Sequence, residues 1–408
     1  MEKVVSLVAC DEYEEEKVFE AVKSAVDKIG GIESYVKAGQ KVAIKANLLM
    51  KATPEKCATT HPFVVAAIGR LCKGVGAEVV IVDSAGGPFT SGYMNSIYKA
   101  SGLEEIAQKY DLQLNENFDF VSVENPNGVV GKKFDILQTL SDADVIINAC
   151  KLKTHAFAGF TNAVKNMFGA IPGLTKVEMH GKYRDINTFC DFLFDIHTYF
   201  GDKLCLNISD AVWGMEGEGP SNGTPRKIGV IMASSSASAL DVVSVKLINA
   251  DMAVMPTIQR GLERGFLDNL DVDVVGDDLQ AFVVKDFQNI TPNVLKPYAN
   301  YVPQCMQKFV HNIMTQRPNI NHNHCRGCGK CFEHCPVKAI SMVTQKNGRK
   351  VAKIDYDKCI RCFCCQELCP FGVIKIKSGL IYKIVHKGAK KRRKTDKIES
   401  KTENLSQK

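Results

Sequence analysis

Nowhere in its 408 residues does the chain carry an apolar run near the ~18 residues that cross a bilayer. Its opening, MEKVVSLVACDEYEEEKVF, offers one Lys and a short apolar stretch before an acidic run. That makes a poor signal peptide and a good first strand, so a cytoplasmic protein is expected. The P-loop pattern and H-E-x-x-H are both absent, which excludes the commonest nucleotide and metalloprotease signatures. Asp83 to Pro88 read DSAGGP, not G-x-G-x-x-G, so no dinucleotide fingerprint is present. Basic charge is also scarce outside one segment. From His386 to Lys408 there are nine Lys or Arg and three Asp or Glu, and the other 385 residues net only +1. On that count, only the tail is expected to contact nucleic acid or anionic lipid.

What the chain does have is an alternating pattern. VVSLVAC (4–10), KVAIKANLL (41–49), EVVIVDS (78–84), DVIINAC (144–150), KLCLNISDAV (203–212) and KIGVIM (227–232) read as buried strands. Helix-like stretches lie between them at Tyr13–Ile29, His61–Lys73, Thr161–Ile171, Asp185–Phe200 and Ala237–Asn249. Apolar strands alternating with helices predict an α/β fold: a mostly parallel sheet with helices on both faces. This unit is expected over 1–287, followed by a Pro-rich connector over 288–319 with a short helix around Gln304–Met314. A small α+β bacterial ferredoxin-like domain is expected over 320–378, and a disordered basic tail over 379–408.

Cysteine is concentrated. Nine of 16 lie between Cys325 and Cys369, a density that in a cytosolic chain points to metal ligation. CRGCGKCFEHCP and CIRCFCCQELCP each fit C-x2-C-x2-C-x3-C-P and recur at an offset of 34 residues. In the two-cluster bacterial run the fourth Cys ligates the other cluster. Cluster I is therefore expected on Cys325, Cys328, Cys331 and Cys369, and cluster II on Cys359, Cys362, Cys365 and Cys335. Zinc ribbons instead place two separated Cys pairs, so two 4Fe–4S clusters are the better reading. Cys364 departs from the pattern; it is either a packed thiol beside a cluster or an alternative ligand.

In the α/β unit, KLKTHAFAGFTNAVKN (151–166) follows a buried strand, where ligand sites of open sheets collect. Lys151, Lys153 and His155 share one side if the extended chain continues. Thr161 is placed to cap a helix carrying Lys165 and Asn166. Cations, an imidazole and a helix start suit a small anion. The loop DAVWGMEGEGPSNGTPR (210–226) carries Asp210, Glu216 and Glu218 among glycines, which suits a divalent cation near Asp210 and Glu216 or an acid–base role. His61 either caps a helix or serves the site, and His180 faces either the site or solvent.

KVAIKANL, TTHP, VVIVDSAGG, KLKTHAFAGFTNAVKN, DAVWGMEGEGPSNGTP and ASALDVV, followed by the ferredoxin run, resemble domain-of-unknown-function family 362 fused to a bacterial-type ferredoxin. The resemblance covers roughly residues 1–378 and implies architecture and redox cofactor, leaving the substrate open. Ala46 and Cys150 stand where that family often has Pro. His155, Gly159 and Phe160 are also similar to nickel-pincer lactate racemases, at the level of fold. The expected function is a reductase passing low-potential electrons to a small anionic substrate, with His155 as proton donor, Lys153 and Lys165 as anion holders, and Glu216 closing over the substrate. The alternative is an electron carrier or maturation partner that docks other redox proteins. Anaerobically prepared protein should hold about eight Fe and eight acid-labile sulfides per chain. Cys335→Ser should damage cluster II, although Cys335 lies in the first run. Zinc without labile sulfide would contradict the assignment.

Overall fold

Val- and Ile-rich runs build a nine-stranded mixed sheet in the computed structural model, which describes residues 3–292, 306 and 315–379. Its strands are β1 (Val4–Ala9), β2 (Lys41–Lys45), β3 (Glu78–Val82), β4 (Gln113–Leu114), then, after the separate hairpin of β5 (Phe120–Glu124) and β6 (Lys133–Leu137), β7 (Val145–His155), β8 (Gly159–Thr161), β9 (Leu204–Glu216), β10 (Thr224–Ser234) and β11 (Asp273–Gly276). The spatial order is β11-β1-β10-β9-β7-β2-β3-β4, with β8 folded back onto the end of β7. Pairings β1–β11, β2–β3, β2–β7, β3–β4 and β7–β9 are parallel, and β10 runs antiparallel to both its neighbours.

Alternation along the strands feeds two cores. Ile147 and Ile44 join Val22, Val65 and Ile68 from helices Glu15–Asp27 and Pro62–Gly74. Ile146 and Ala43 join Phe189, Leu193 and Leu240 from helices Ile186–Phe200 and Ala237–Leu247. The mostly parallel, two-sided architecture follows from that double burial.

Two segments differ from expectation. β7 runs on to His155 and is buried throughout, so Lys151–His155 lie in the sheet and not in a loop. β9 extends to Glu216 and pairs it with Thr224 of β10, so the glycine-rich segment shrinks to 217–223. The helix expected over Thr161–Ile171 is also cut short. Thr161 belongs to β8, and only Ala163–Asn166 is α-helical before a tighter turn over Met167–Ala170. The cap comes from elsewhere: Asp241 on helix Ala237–Leu247 accepts the N–H groups of Ala163 (2.8 Å) and Val164 (3.2 Å). A carboxylate reaching across from another helix leaves no local sequence signal.

The C-terminal module carries two small antiparallel sheets, β12 (Gln316–Ile320) with β15 (Ile374–Ser378) and β13 (Ile340–Thr344) with β14 (Lys350–Ile354). Short helices Lys330–Glu333 and Cys364–Glu367 occupy equivalent places in the two halves. The second half is docked on the α/β unit. Phe363 is buried in the α/β core, and Lys375 pairs with Glu218 at 2.8 Å. Gln366 Nε2 donates to the Glu218 carbonyl at 3.1 Å. Apart from Met306, the helix expected around Gln304–Met314 lies outside the described residues, as does the tail from residue 380. Among the described residues no helix is long and apolar enough to cross a membrane.

Candidate functional site

The carboxyl ends of β2, β3 and β7 converge where the C-terminal module docks, and a cavity of about 80 Å³ opens between them. One water needs roughly 10–15 Å³ by the same measure, so the space suits a small molecule and not a dinucleotide. The α/β wall presents Lys45, Lys153, His155, Lys165, Lys176 and His180. The opposite wall is Cys364, Glu367 and Leu368, from within the second cysteine run.

The lysines differ in how they are satisfied. Lys45 pairs with Asp83 at 2.7 Å, both buried. Gly169 lets that pair form: a Cβ there would sit 2.1 Å from Asp83 Oδ1. Lys153 Nζ donates to Asn47 Oδ1 (2.8 Å) and the Ala58 carbonyl (2.7 Å). Lys176 Nζ spends its donors on Ser84 Oγ, the Ser84 carbonyl and the Ile171 carbonyl, each at 2.8 Å. Asn166 ties the short helix to β2 and β7 through Asn47 (2.8 Å) and Asn148 (2.7 Å). Lys165 is different. Among the described residues its ammonium has no hydrogen bond or ion pair, and its nearest ring is Phe168 at 5.5 Å.

Electrostatics follow from this crowding of cations. Burial, then Lys165 and Lys151, bring Lys153 down to about 7. Burial also brings Lys176 down to about 7, against the opposing pull of Asp83. Burial lowers Lys165 as well, with Glu367 pulling the other way. His155 is depressed to about 4 by burial and Lys165, and His180 to about 3 by burial.

His155 Nδ1 accepts the N–H groups of Phe157 (3.1 Å) and Ala158 (3.2 Å), so its proton sits on Nε2. Nε2 lies 3.1 Å from Glu367 Oε1 but off the line of a hydrogen bond, leaving both atoms without a partner. Burial alone would raise Glu367, yet its neighbours hold it below the usual carboxylate range. His155 beside it contributes most of that lowering, and Lys165 adds to it. His180 Nδ1 is likewise buried without a partner, its ring stacked 4.4 Å from Phe189. Leaving a buried polar atom unsatisfied costs ~1–3 kcal/mol, so this cluster is built for something polar to complete it.

The structure thus brings Lys153, His155, Lys165 and Asn166 to one cavity. Three sequence readings are corrected. Lys151 does not line it; it pairs with Asp210 (2.9 Å) and donates to Tyr13 (2.7 Å). Asp210 also takes the Tyr13 hydroxyl (2.6 Å) and the His61 N–H (2.9 Å), and Glu216 accepts the Gln288 N–H at 3.0 Å. The two carboxylates sit six residues apart on one strand with their own partners, so they do not form a cation site, and Glu216 is no closing loop. No group of three or more His, Cys, Asp or Glu among the described residues is placed around a single ion. Finally, His155 is neutral near pH 7 and is not the proton donor expected of it. His61 caps its helix through Phe63 N–H at 3.3 Å and stacks on Tyr13.

Sequence reasoning missed Lys45, Asp83, Lys176 and Glu367. Lys45 ends β2, beside β7, and Asp83 follows β3, the next parallel strand, where the carboxyl-end rule points. Glu367 offers no signal, because which module face is docked is a tertiary fact.

The cysteines form two neighbourhoods. A hollow is lined by Cys335, Cys359, Cys362 and Cys365, drawn from both runs. Cys331 interacts electrostatically with Cys328, Cys369 and Cys325. All eight are free thiols, so the donor set suits 4Fe–4S clusters. The fold and these thiols define a class: an α/β protein joined to a two-cluster ferredoxin module. A 4Fe–4S dicluster domain model matches residues 324–373 and establishes an iron–sulfur, electron-transfer chain. The model for domain of unknown function DUF362 matches residues 42–246, and the chain belongs to that family.

Thylakoid-associated protein sll1697 of Synechocystis is 32% identical over 265 residues, 63% of this chain and 78% of that protein. Pyruvate synthase subunit PorD of Methanocaldococcus jannaschii is 38% identical over 60 residues, 15% of this chain and 65% of that one. Dihydromethanopterin reductase (acceptor) of Methanosarcina mazei is 42% identical over 67 residues, 16% and 26% respectively. The lactate racemase apoprotein of Thermoanaerobacterium thermosaccharolyticum has a similar structure at TM-score 0.36 and 12% identity, covering 60% of this chain and 58% of that one. At that level the likeness carries no argument.

Lysine side-chain NMR should find two ammonium groups titrating near pH 7, Lys153 and Lys176, charged below that pH and neutral above it. Their assignment is checked by Lys153→Met and Lys176→Met. Midpoints near 10 for every lysine would contradict the crowded, desolvated cavity.

Proposed function

We propose that the chain is an iron–sulfur reductase that holds a small anion in the cavity between its two modules. The observation that carries this reading is Lys165, whose Nζ has no hydrogen bond or ion pair among the described residues and faces a wall made by the cysteine run itself. Cys325, Cys328, Cys331 and Cys369 would hold cluster I, and Cys359, Cys362, Cys365 and Cys335 cluster II. When bound, the clusters supply single electrons at low potential.

The chain's own residues do the rest. Lys165 binds the negative charge and stabilises more as it develops. Asn166 fixes the helix that carries Lys165. Lys153, brought close to neutral pH and with one N–H left after Asn47 and Ala58, is suited to hand over a proton from Nζ. The neutral His155 offers its unpaired Nε2–H as a donor to the ligand, while Leu368 and Phe168 restrict water. Because Lys153 and Lys176 lose their charge above about pH 7, anion affinity should fall as pH rises through that point.

The test is an anaerobic substrate screen in which reoxidation of the reduced protein is followed optically. Lys165→Met should slow substrate-dependent reoxidation by roughly 10- to 150-fold, the equivalent of ~1.5–3 kcal/mol for a hydrogen bond to a charged group. Iron content should not change, and Lys165→Arg should restore part of the rate. Unchanged turnover in Lys165→Met would sink the proposed site and favour the carrier reading.

A further inference from the structure

The near-neutral charge of residues 1–385 conceals a division between the modules. Residues 315–379 carry 12 Lys or Arg and four Asp or Glu, net +8, whereas residues 1–314 carry 30 and 38, net −8. Thiolates and bound clusters remove part of the positive excess, but the exposed basic side chains stay where they are. Four of them, Arg326, Lys330, Arg349 and Lys350, lie around one edge. Cys328 is the exposed member of the cysteine set, and it lies between exposed Arg326 and Lys330. Arg349 reaches over the same loop, its Nη2 donating to the Cys325 carbonyl (3.0 Å) and the Asn323 carbonyl (3.2 Å). Lys350 backs it: Gly327 approaches so closely that a Cβ would sit 2.5 Å from the Lys350 carbonyl oxygen.

Internal symmetry says what this edge is for. The 34-residue offset maps helix Lys330–Glu333 onto helix Cys364–Glu367, so Phe332 corresponds to Gln366 and Glu333 to Glu367. In the second half those positions meet the α/β unit: Gln366 is buried against Glu218, and Glu367 lies beside His155. In the first half the same face is open, and Phe332 is 43% exposed. The module therefore has two equivalent faces. One is filled by the acidic α/β unit; the other presents exposed Phe332, with Glu333 next to it, beside the basic edge of Arg326, Lys330, Arg349 and Lys350.

We propose that this open face, formed by Arg326, Lys330, Phe332, Arg349 and Lys350 around Cys328, docks an acidic one-electron carrier protein. The partner's acidic surface would meet the basic edge and its apolar centre would meet Phe332, the usual arrangement of a small, electrostatically steered redox contact. Cys325, Cys328, Cys331 and Cys369 would hold the iron–sulfur group that accepts one electron from the reduced carrier; no bond would form or break and no proton would be needed. The inference rests on the iron–sulfur assignment and not on what the cavity reduces, so it stands or falls separately from the reductase reading.

The test uses full-length, cluster-loaded protein and an acidic two-cluster 4Fe–4S ferredoxin as probe. Two readouts are taken: the Kd of the oxidised pair, and the second-order rate at which the reduced ferredoxin reduces the chain. Arg326→Glu with Lys330→Glu and Lys350→Glu should weaken binding and slow reduction at least about tenfold at low ionic strength. Most of that difference should vanish near 0.5 M salt, where the Debye length falls to only a few Å. Iron content and the end point of dithionite reduction should match the parent. If the triple variant loses iron, Lys330→Ala and Phe332→Ser carry the test, since both side chains are exposed and each should still raise Kd. Wild-type rates in every iron-replete variant would overturn the proposal. So would a short RNA that binds with the same variant profile as the ferredoxin, because it would assign the face to polyanions in general.

Discussion

Desolvating lysine ammonium groups at the carboxyl ends of parallel strands is the constraint on which the site depends. A buried ammonium must find acceptors or give up its proton. Lys45 has Asp83, Lys151 has Asp210 and Tyr13, Lys153 has Asn47 and the Ala58 carbonyl, and Lys176 has Ser84 and the Ile171 carbonyl. Those partners come from β9, from the segments after β1, β2 and β3, and from Ile171 after the tight turn, so satisfying the lysines also locks the strand ends together. Lys165 is left over. Its amino group, the bare nitrogen of His180 and the carboxylate of Glu367 surround a space that a small polar ligand would complete.

The second module closes that space. Phe363 plugs into the α/β core at a left-handed backbone position (φ 63), a conformation that costs a bulky residue of the order of 1–2 kcal/mol unless packing enforces it. Cys364, Glu367 and Leu368 are thereby turned toward the cavity. This is also where the cysteine run breaks its own symmetry, since Phe363 stands opposite Gly329 and Cys364 opposite Lys330. The second half is adapted to a protein neighbour inside the chain. The first half keeps its glycine, its lysine and its exposed Phe332.

Much of this was legible in the sequence. The sheet class follows from β-branched runs such as VVIV, and the two cysteine neighbourhoods from the recurring run. Lys153, His155, Lys165 and Asn166 were legible as a group because the segment follows a buried strand in a fold whose ligands collect there. The rest was hidden for definite reasons. Strand ends at His155 and Glu216 ran past their apolar cores because polar side chains there are satisfied from distant elements, which periodicity does not register. The Asp241 cap and the Glu367 contact join residues tens to hundreds of positions apart. The role of His155 was misread because its reference pKa ignores the burial and the two amide donors that keep it neutral.

The measurement that bears most directly on the shared cavity is the EPR spectrum of the dithionite-reduced protein with and without formate, acetate, sulfite and phosphate. If an anion binds beside Cys364 and Lys165, at least one of these should shift the signals of the cluster proposed for Cys335, Cys359, Cys362 and Cys365. The shift should weaken above about pH 7 and disappear in Lys165→Met. Spectra that ignore every anion, or that respond equally in Lys165→Met, would contradict the account.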